Sequence, residues 1–193
     1  MAGHARYTAL LDACVLYPVA VCDALMSVAA VGIYAPKWTH RIDDEWMRAL
    51  EAQRGYPAGS FIPRRDAMHD ACPDWEVPHA AWQAVTPGLA LPDPNDVHVL
   101  AAAIAGHADC IVTQNLKDFP ADIADCFGLE ILHPDEFLSA QLDLDLFRVL
   151  PAFKAMRARL RRPEYTPALF ADALERNGLL RTAQTIRDAA ELI

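Results

Sequence analysis

The compact apolar run Asp109-Cys-Ile-Val-Thr113 constrains this chain most, because it directly follows the alanine-rich helical stretch Asp96 to Ala105 closed by Gly106. Five residues are too few for a stable helix and suit a strand buried on both faces. The same alternation recurs along the chain. Tyr7 to Asp12 reads as a strand and Val19 to Val31 as a helix, with Val21, Leu25 and Val28 on one face. Ile33 to Pro36 is a second strand candidate, followed by a helix over His40 to Gln53 stopped by Gly55 and another over Phe61 to Ala71. Asp74 to Leu91 is expected to hold a short strand and a short helix. A helix near Ala121 to Cys126, the strand Leu129 to His133 and a proline-initiated helix at Pro134 complete the series. Strands separated by helices predict an α/β domain with a largely parallel sheet. From Ser139 to Ile193 only helical pattern remains, so the expected division is 1–138 and 139–193, the latter a helical C-terminal extension.

With 193 residues, 53% of them hydrophobic, the chain can bury a proper core without disulfide staples. Its five cysteines, Cys14, Cys22, Cys72, Cys110 and Cys126, are odd in number and free of any CxxC spacing. They suggest neither a disulfide framework nor a thiolate zinc site, but buried free thiols in a reducing cytosol. The N-terminal stretch shows no signal-like apolar run, and Pro18 and Asp23 break the one that starts at Val15, so a cytoplasmic protein without a membrane span is expected. Seventeen Lys and Arg stand against 26 Asp and Glu, a formal charge of −9. At long range that charge repels a polyanion. It is unevenly spread: residues 139–193 carry nine basic and seven acidic residues, residues 1–138 eight and nineteen.

In an open parallel sheet, ligands bind beyond the carboxyl ends of the strands. Asp12 closes the first strand, the loop from Asn115 to Asp118 leaves the strand that ends at Thr113, and Asp96 opens the helix before that strand. All three therefore point to one sheet edge, and Glu45 on the helix after the second strand can supply a fourth carboxylate. Carboxylates this close repel unless a cation lies among them. Oxygen ligands with no Cys or His cluster suit Mg²⁺ or Mn²⁺ better than zinc. Such an ion, keeping several waters, is suited to activating water against a phosphodiester. Each residue also has a plainer reading: Asp12, Asp93 and Asp96 as turn formers or N-caps, Glu45 as a solvated helix residue, Thr113 and Asn115 as turn residues.

Four ordered blocks carry a resemblance. Leu11-Asp12-Ala-Cys-Val-Leu-Tyr-Pro18, Trp38-Thr-His-Arg-Ile-Asp-Asp-Glu45-Trp46, Leu91-Pro-Asp-Pro-Asn-Asp96-Val-His-Val-Leu-Ala-Ala-Ala103 and Ile111-Val-Thr113-Gln-Asn115-Leu-Lys-Asp118-Phe-Pro120 together resemble the PIN-domain ribonucleases of the VapC-like toxin type. The resemblance covers residues 7 to about 138 and implies a three-layer α/β/α sandwich. It implies a metal-dependent endoribonuclease, the toxin of a type II toxin–antitoxin pair, in which Asp12, Glu45 and Asp96 bind Mg²⁺ or Mn²⁺ and Asp118 is the fourth acid. Thr113 and Asn115 match the polar positions after the strand, where Thr orients an acidic side chain or a water. Many members carry aspartate where Asn115 stands, which leaves open whether Asn115 or Asp118 completes the site. A tRNA, rRNA or mRNA substrate, a cognate antitoxin covering the acidic cleft and a homodimer are likewise implied.

The tail resembles a helical extension found in one subgroup of these toxins. Its stretch from Lys154 through Arg157, Arg159 and Arg161 to Arg162 packs five cations into nine residues, to be read as an RNA backbone contact or as a solvated helix face. His40 and His98 fall near the expected site and are read as packing or hydrogen-bonding residues. Two other classes compete: a non-catalytic PIN-like binding module, and a Mg²⁺-dependent phosphatase of the haloacid dehalogenase kind. The latter needs a second aspartate two residues after the first, where this chain has Cys14.

Overall fold

A computed structural model of the chain describes residues 6–161 and 163–193. In chain order it contains β1 (Thr8–Leu11), α1 (Ala13–Leu16), α2 (Val19–Ala30), β2 (Ala35–Lys37), α3 (His40–Arg54), α4 (Ile62–Ala71) and α5 (His79–Val85). A 3-10 turn over Pro94–Asp96 leads into α6 (Val97–Ala105) and β3 (Cys110–Val112), and a second one, Leu116–Asp118, precedes α7 (Ala121–Asp125) and β4 (Glu130–Leu132). Then come only helices, α8 (Pro134–Leu144), α9 (Leu146–Arg159), α10 (Pro167–Arg176) and α11 (Leu180–Asp188). The architecture is α/β, with all four strands parallel in the order β2-β1-β3-β4.

The sheet explains the apolar runs. Ala9, Leu10, Leu11, Cys110, Ile111 and Val112 are all wholly buried, as strands covered on both faces must be. Chain order places the site. β1 lies inside the sheet; the chain crosses to β2 on one side, then passes over β1 to β3 on the other. With right-handed crossovers, α1 and α2 cover one face and α6 the other, while α3 and α4 pack on α1 and α2. The sense of crossing reverses between the carboxyl ends of β1 and β3, where open parallel sheets bind their ligands.

Local chemistry sets both ends of α3 near where the sequence predicts them. Thr39 caps α3 by accepting the Ile42 N–H at 3.1 Å, and Gly55 ends it in the left-handed conformation at φ +67°. β2 differs from the expected Ile33 to Pro36. Ile33 and Tyr34 are buried by side-chain packing, with the Tyr34 hydroxyl donating to the Leu25 carbonyl at 2.9 Å, and pairing with β1 starts only at Ala35. The strand expected in Asp74 to Leu91 is reduced to one parallel bridge, Trp38 with Glu76, followed by α5. All five cysteines are free, but Cys126 is exposed and Cys14 half-buried, so burial holds only for Cys22, Cys72 and Cys110.

The tail packs on the α/β unit. α8 runs without interruption through residues 138 and 139 and rests with α9 against α2, while α11 returns to α8. The Asp135 carboxylate, 6% exposed, accepts the N–H groups of Arg181 at 2.8 Å and Thr182 at 2.9 Å, so a charge on α8 caps the start of α11. Arg148 donates to the Val31 carbonyl at 2.6 Å. No helix among the described residues is long and apolar enough to cross a membrane.

Candidate active site

Register brings the first two site residues together. Leu11 is paired with Val112, so the next residues along each strand, Asp12 and Thr113, emerge side by side. The Asp12 N–H donates to the Val112 carbonyl at 3.1 Å, extending the ladder by one bond. Asp12 is 6% exposed and Thr113 fully buried. The Thr113 hydroxyl donates to Asp12 Oδ2 at 2.7 Å and accepts the Asn115 N–H at 3.0 Å, so one chain of hydrogen bonds runs from the loop to the carboxylate. Cys14 completes this shell: its thiol donates to Asp12 Oδ2 at 3.0 Å, and its sulfur accepts the Gln114 N–H at 3.1 Å. Burial and the Asp12 charge push the Cys14 thiol up to about 12, so it stays protonated and acts as a donor. The position where a phosphatase of the rival class needs its second acid is thus a donor to the first.

Asp96 closes the 3-10 turn Pro94–Asp96 at the amino end of α6. Asp93 caps that turn by accepting the Asn95 N–H at 2.8 Å. The Asp96 carboxyl is pushed up to about 6, first by burial and then by the negative charges of Asp12, Asp93 and Asp118, with His98 opposing them. Four carboxylates from three separate segments therefore share one field. Asp118, half-buried at the end of the 3-10 turn Leu116–Asp118, enters this field, whereas Asn115 is exposed and enters through its backbone N–H to Thr113.

Glu45, half-buried in α3, reaches the site through a histidine. His98 Nε2 lies 3.0 Å from Glu45 Oε1, and Arg41 Nε donates to the same oxygen at 3.1 Å. Burial alone would raise this carboxyl, but the His98 ring and the Arg41 guanidinium outweigh it and hold it below the ordinary carboxylate range. His98 is 3% exposed, and its Nδ1 has no hydrogen-bond partner, so Nε2 makes the ring's one directed bond. A carboxylate only accepts, hence Nε2 carries the hydrogen. His98 sits two residues after Asp96 and so ties Glu45 to the turn that carries Asp96. The hydrogen-bonding role expected for His98 holds, with Glu45 as the partner that the sequence does not name. His40 is exposed, within reach of Glu76 at 3.7 Å and edge-on to Trp75, away from the carboxylates.

The donor set suits a hard cation: it is all oxygen, and of the causes that raise Asp96, burial first and then three like charges, the second is what a divalent ion relieves. Among the described residues no three His, Cys, Asp or Glu side chains are drawn close enough to hold an ion; Asp12 is bonded to Thr113 and Cys14, and Glu45 to His98 and Arg41.

The basic segment is largely spoken for. Lys154 donates to the Leu192 carbonyl at 3.0 Å, Arg157 to the carbonyls of Tyr165 at 2.6 Å and Ile193 at 3.3 Å, and Arg159 to Asp23 at 2.5 Å and Ser27 at 2.8 Å. Arg161 is exposed; Arg162 lies outside the described residues.

The PIN-domain family profile matches residues 8–117, more than half of the chain. The chain belongs to the PIN-domain family. The match runs from β1 through the Thr113 loop and so takes in Asp12, Glu45 and Asp96. A second profile, described as the VapC50 C-terminal domain, matches residues 134–188, the four helices that follow the sheet. Over 79 residues the chain is 43% identical to the Mycobacterium tuberculosis protein named "Putative ribonuclease VapC50", a stretch that is 41% of this chain and 47% of that relative. The match thus spans about half the relative's length. A PIN domain followed by this type of helical region agrees with the α/β sheet and tail described above.

Proposed function

We propose that this PIN-domain protein is a divalent-metal-dependent endoribonuclease, the toxin half of a VapC-like toxin–antitoxin pair. The observation that carries the reading is the Asp96 carboxyl, raised to about 6 by burial and by Asp12, Asp93 and Asp118 at the switch point of a parallel sheet. The name of its M. tuberculosis relative supports the same activity. Asp12, Glu45, Asp96 and Asp118 would hold Mg²⁺ or Mn²⁺. When bound, the ion supplies a water activated for attack and neutralises charge on the scissile phosphate.

The chain's own residues do the rest. Thr113 and Cys14 fix Asp12 through two donated bonds, so that carboxylate keeps one orientation. His98 and Arg41 keep Glu45 ionised at the edge of the site. Asp93 shapes the turn that presents Asp96 and adds negative charge beside it. Single-stranded RNA is the expected substrate form, since a phosphodiester must reach a recessed carboxylate cluster. Contact with the RNA backbone falls to exposed cations such as Arg161, while Lys154, Arg157 and Arg159 fasten the tail. The helical region from residue 139 onward buttresses the catalytic unit of residues 1–138. A cognate antitoxin that inserts an arginine among the carboxylates would compete with the metal, and a homodimer is the expected assembly. The deciding experiment is RNA cleavage in Mn²⁺ by wild type and by Asp12→Asn. The variant should fold as wild type and lose cleavage, and full activity in it would sink the assignment.

A further inference from the structure

Two cysteine–methionine pairs join α2 to α4, away from the carboxylates. Cys22 and Met26 are one helical turn apart on α2, and Met68 and Cys72 stand at the same spacing at the end of α4. The pairs face each other crosswise: Cys22 Sγ lies 3.7 Å from Met68 Sδ, and Cys72 Sγ lies 3.9 Å from Met26 Sδ. All four side chains are buried but not sealed. Cys22, Met26 and Met68 line a cleft of about 360 Å³, and Cys72 lines a second of about 170 Å³ that shares Ala30 and Ala71 with the first. A tetrahedral ion with metal–sulfur bonds of about 2.3 Å separates its sulfurs by about 3.8 Å. Both cross-helix distances match that spacing.

We propose that Cys22, Met26, Met68 and Cys72 form a site for a soft monovalent cation, Cu(I), that bridges α2 and α4. Two thiolates with two thioethers select Cu(I), because thioethers bind hard ions and Zn²⁺ poorly. Two thiolates around one monovalent ion leave a net charge of −1, and the Arg64 guanidinium stands beside the Cys22 sulfur and lowers its pKa against the rise caused by burial. Arg64 is held there by the Leu16 and Tyr17 carbonyls and by the Trp46 ring 4.7 Å away. Both thiols are protonated in the free protein, with Cys72 raised to about 11, so each gives up its proton on ligation and two protons leave per ion bound. The ion would fasten α4 to the helix on which α8 and α9 rest.

The test uses the full chain, reduced and under anaerobic conditions. Cu(I) is delivered in competition with a colorimetric Cu(I) chelator, and Ag⁺ serves as a redox-inert probe by calorimetry in buffers of different ionisation enthalpy. One equivalent per chain should bind, with release of two protons and a rise in Tm. Cys22→Ser or Cys72→Ser should abolish tight binding, Cys126→Ser should leave it intact, and Zn²⁺ should not displace the ion. Because the serine variants can disturb a buried helix contact, Met26→Leu and Met68→Leu, which conserve volume, carry equal weight. Each should weaken Cu(I) at least tenfold while its metal-free melt stays near wild type. Unchanged affinity in both leucine variants, loss of binding in Cys126→Ser, or displacement by Zn²⁺ overturns the site.

Discussion

Asp96 shows at a single residue what the fold costs and what the site requires. Its ordinary value is 3.8 and its folded value about 6, so the folded chain holds this proton more tightly than the unfolded one. Its contribution to stability is therefore favourable below about pH 4 and is lost as pH rises through the interval to 6. At neutral pH the metal-free protein carries a destabilising carboxylate. Asp96→Asn should then melt higher than wild type at pH 7.5 without divalent metal, the gap closing as pH falls towards 4, and Mn²⁺ should raise the wild-type Tm but not that of the variant. An equal or lower Tm for the metal-free variant at pH 7.5 contradicts this. His98 is tested by a pair of substitutions. Gln keeps a donor near the Nε2 position and should retain most of the Mn²⁺-dependent rise in Tm, whereas Leu should lose about 10–100-fold in metal affinity, the usual cost of removing a partner that orients a ligand. Equal Mn²⁺ responses from His98→Gln and His98→Leu would show that Glu45 does not depend on that bond. Of these residues, Asp12 and Asp96 were legible in the sequence because each sits at an element boundary that local pattern locates. Thr113 was legible as a residue orienting an acid only through the family resemblance, since it meets Asp12 across the Leu11–Val112 register, and Cys14, two residues from Asp12, carried no sign of its role as a donor.

At the scale of elements, the strands β1, β3 and β4 were legible as compact apolar runs and the long helices by their periodic apolar faces. β2 was displaced because Ile33 and Tyr34 look like strand residues yet are buried by side-chain packing, and the sequence does not distinguish pairing from packing. Asp135 is the clearest omission. It reads as an ordinary first-turn acid of α8, but it serves the start of α11, 46 and 47 residues away. Replacing it with alanine leaves two backbone N–H groups without their acceptor in a buried place and should cost about 1–3 kcal/mol. Urea unfolding checks this: Asp135→Ala should lower the midpoint, with Asn, which keeps one acceptor, in between. A wild-type midpoint for Asp135→Ala would mean that α11 is held by its apolar face alone.

For the whole molecule, the uneven charge bears on how the proposed RNA substrate would be bound. The carboxylates lie within residues 1–138, which hold the acidic excess, and of the described cations in the basic segment, three are bonded within the chain: Lys154 and Arg157 to the carbonyls of Leu192 and Ile193, and Arg159 to α2 through Asp23 and Ser27. A segment committed to packing releases few counterions when RNA binds. Affinity for single-stranded RNA, measured with Mn²⁺ on the Asp12→Asn protein, should therefore depend weakly on salt, with a slope of about one to two in log–log form. Arg159→Ala should lower the Tm, because α9 loses its tie to α2, and should leave that slope unchanged. If instead the slope is steep, about five or more, and flattens in Arg159→Ala, the segment is a phosphate-binding surface and its bonds to Asp23 and Ser27 are ones that RNA displaces.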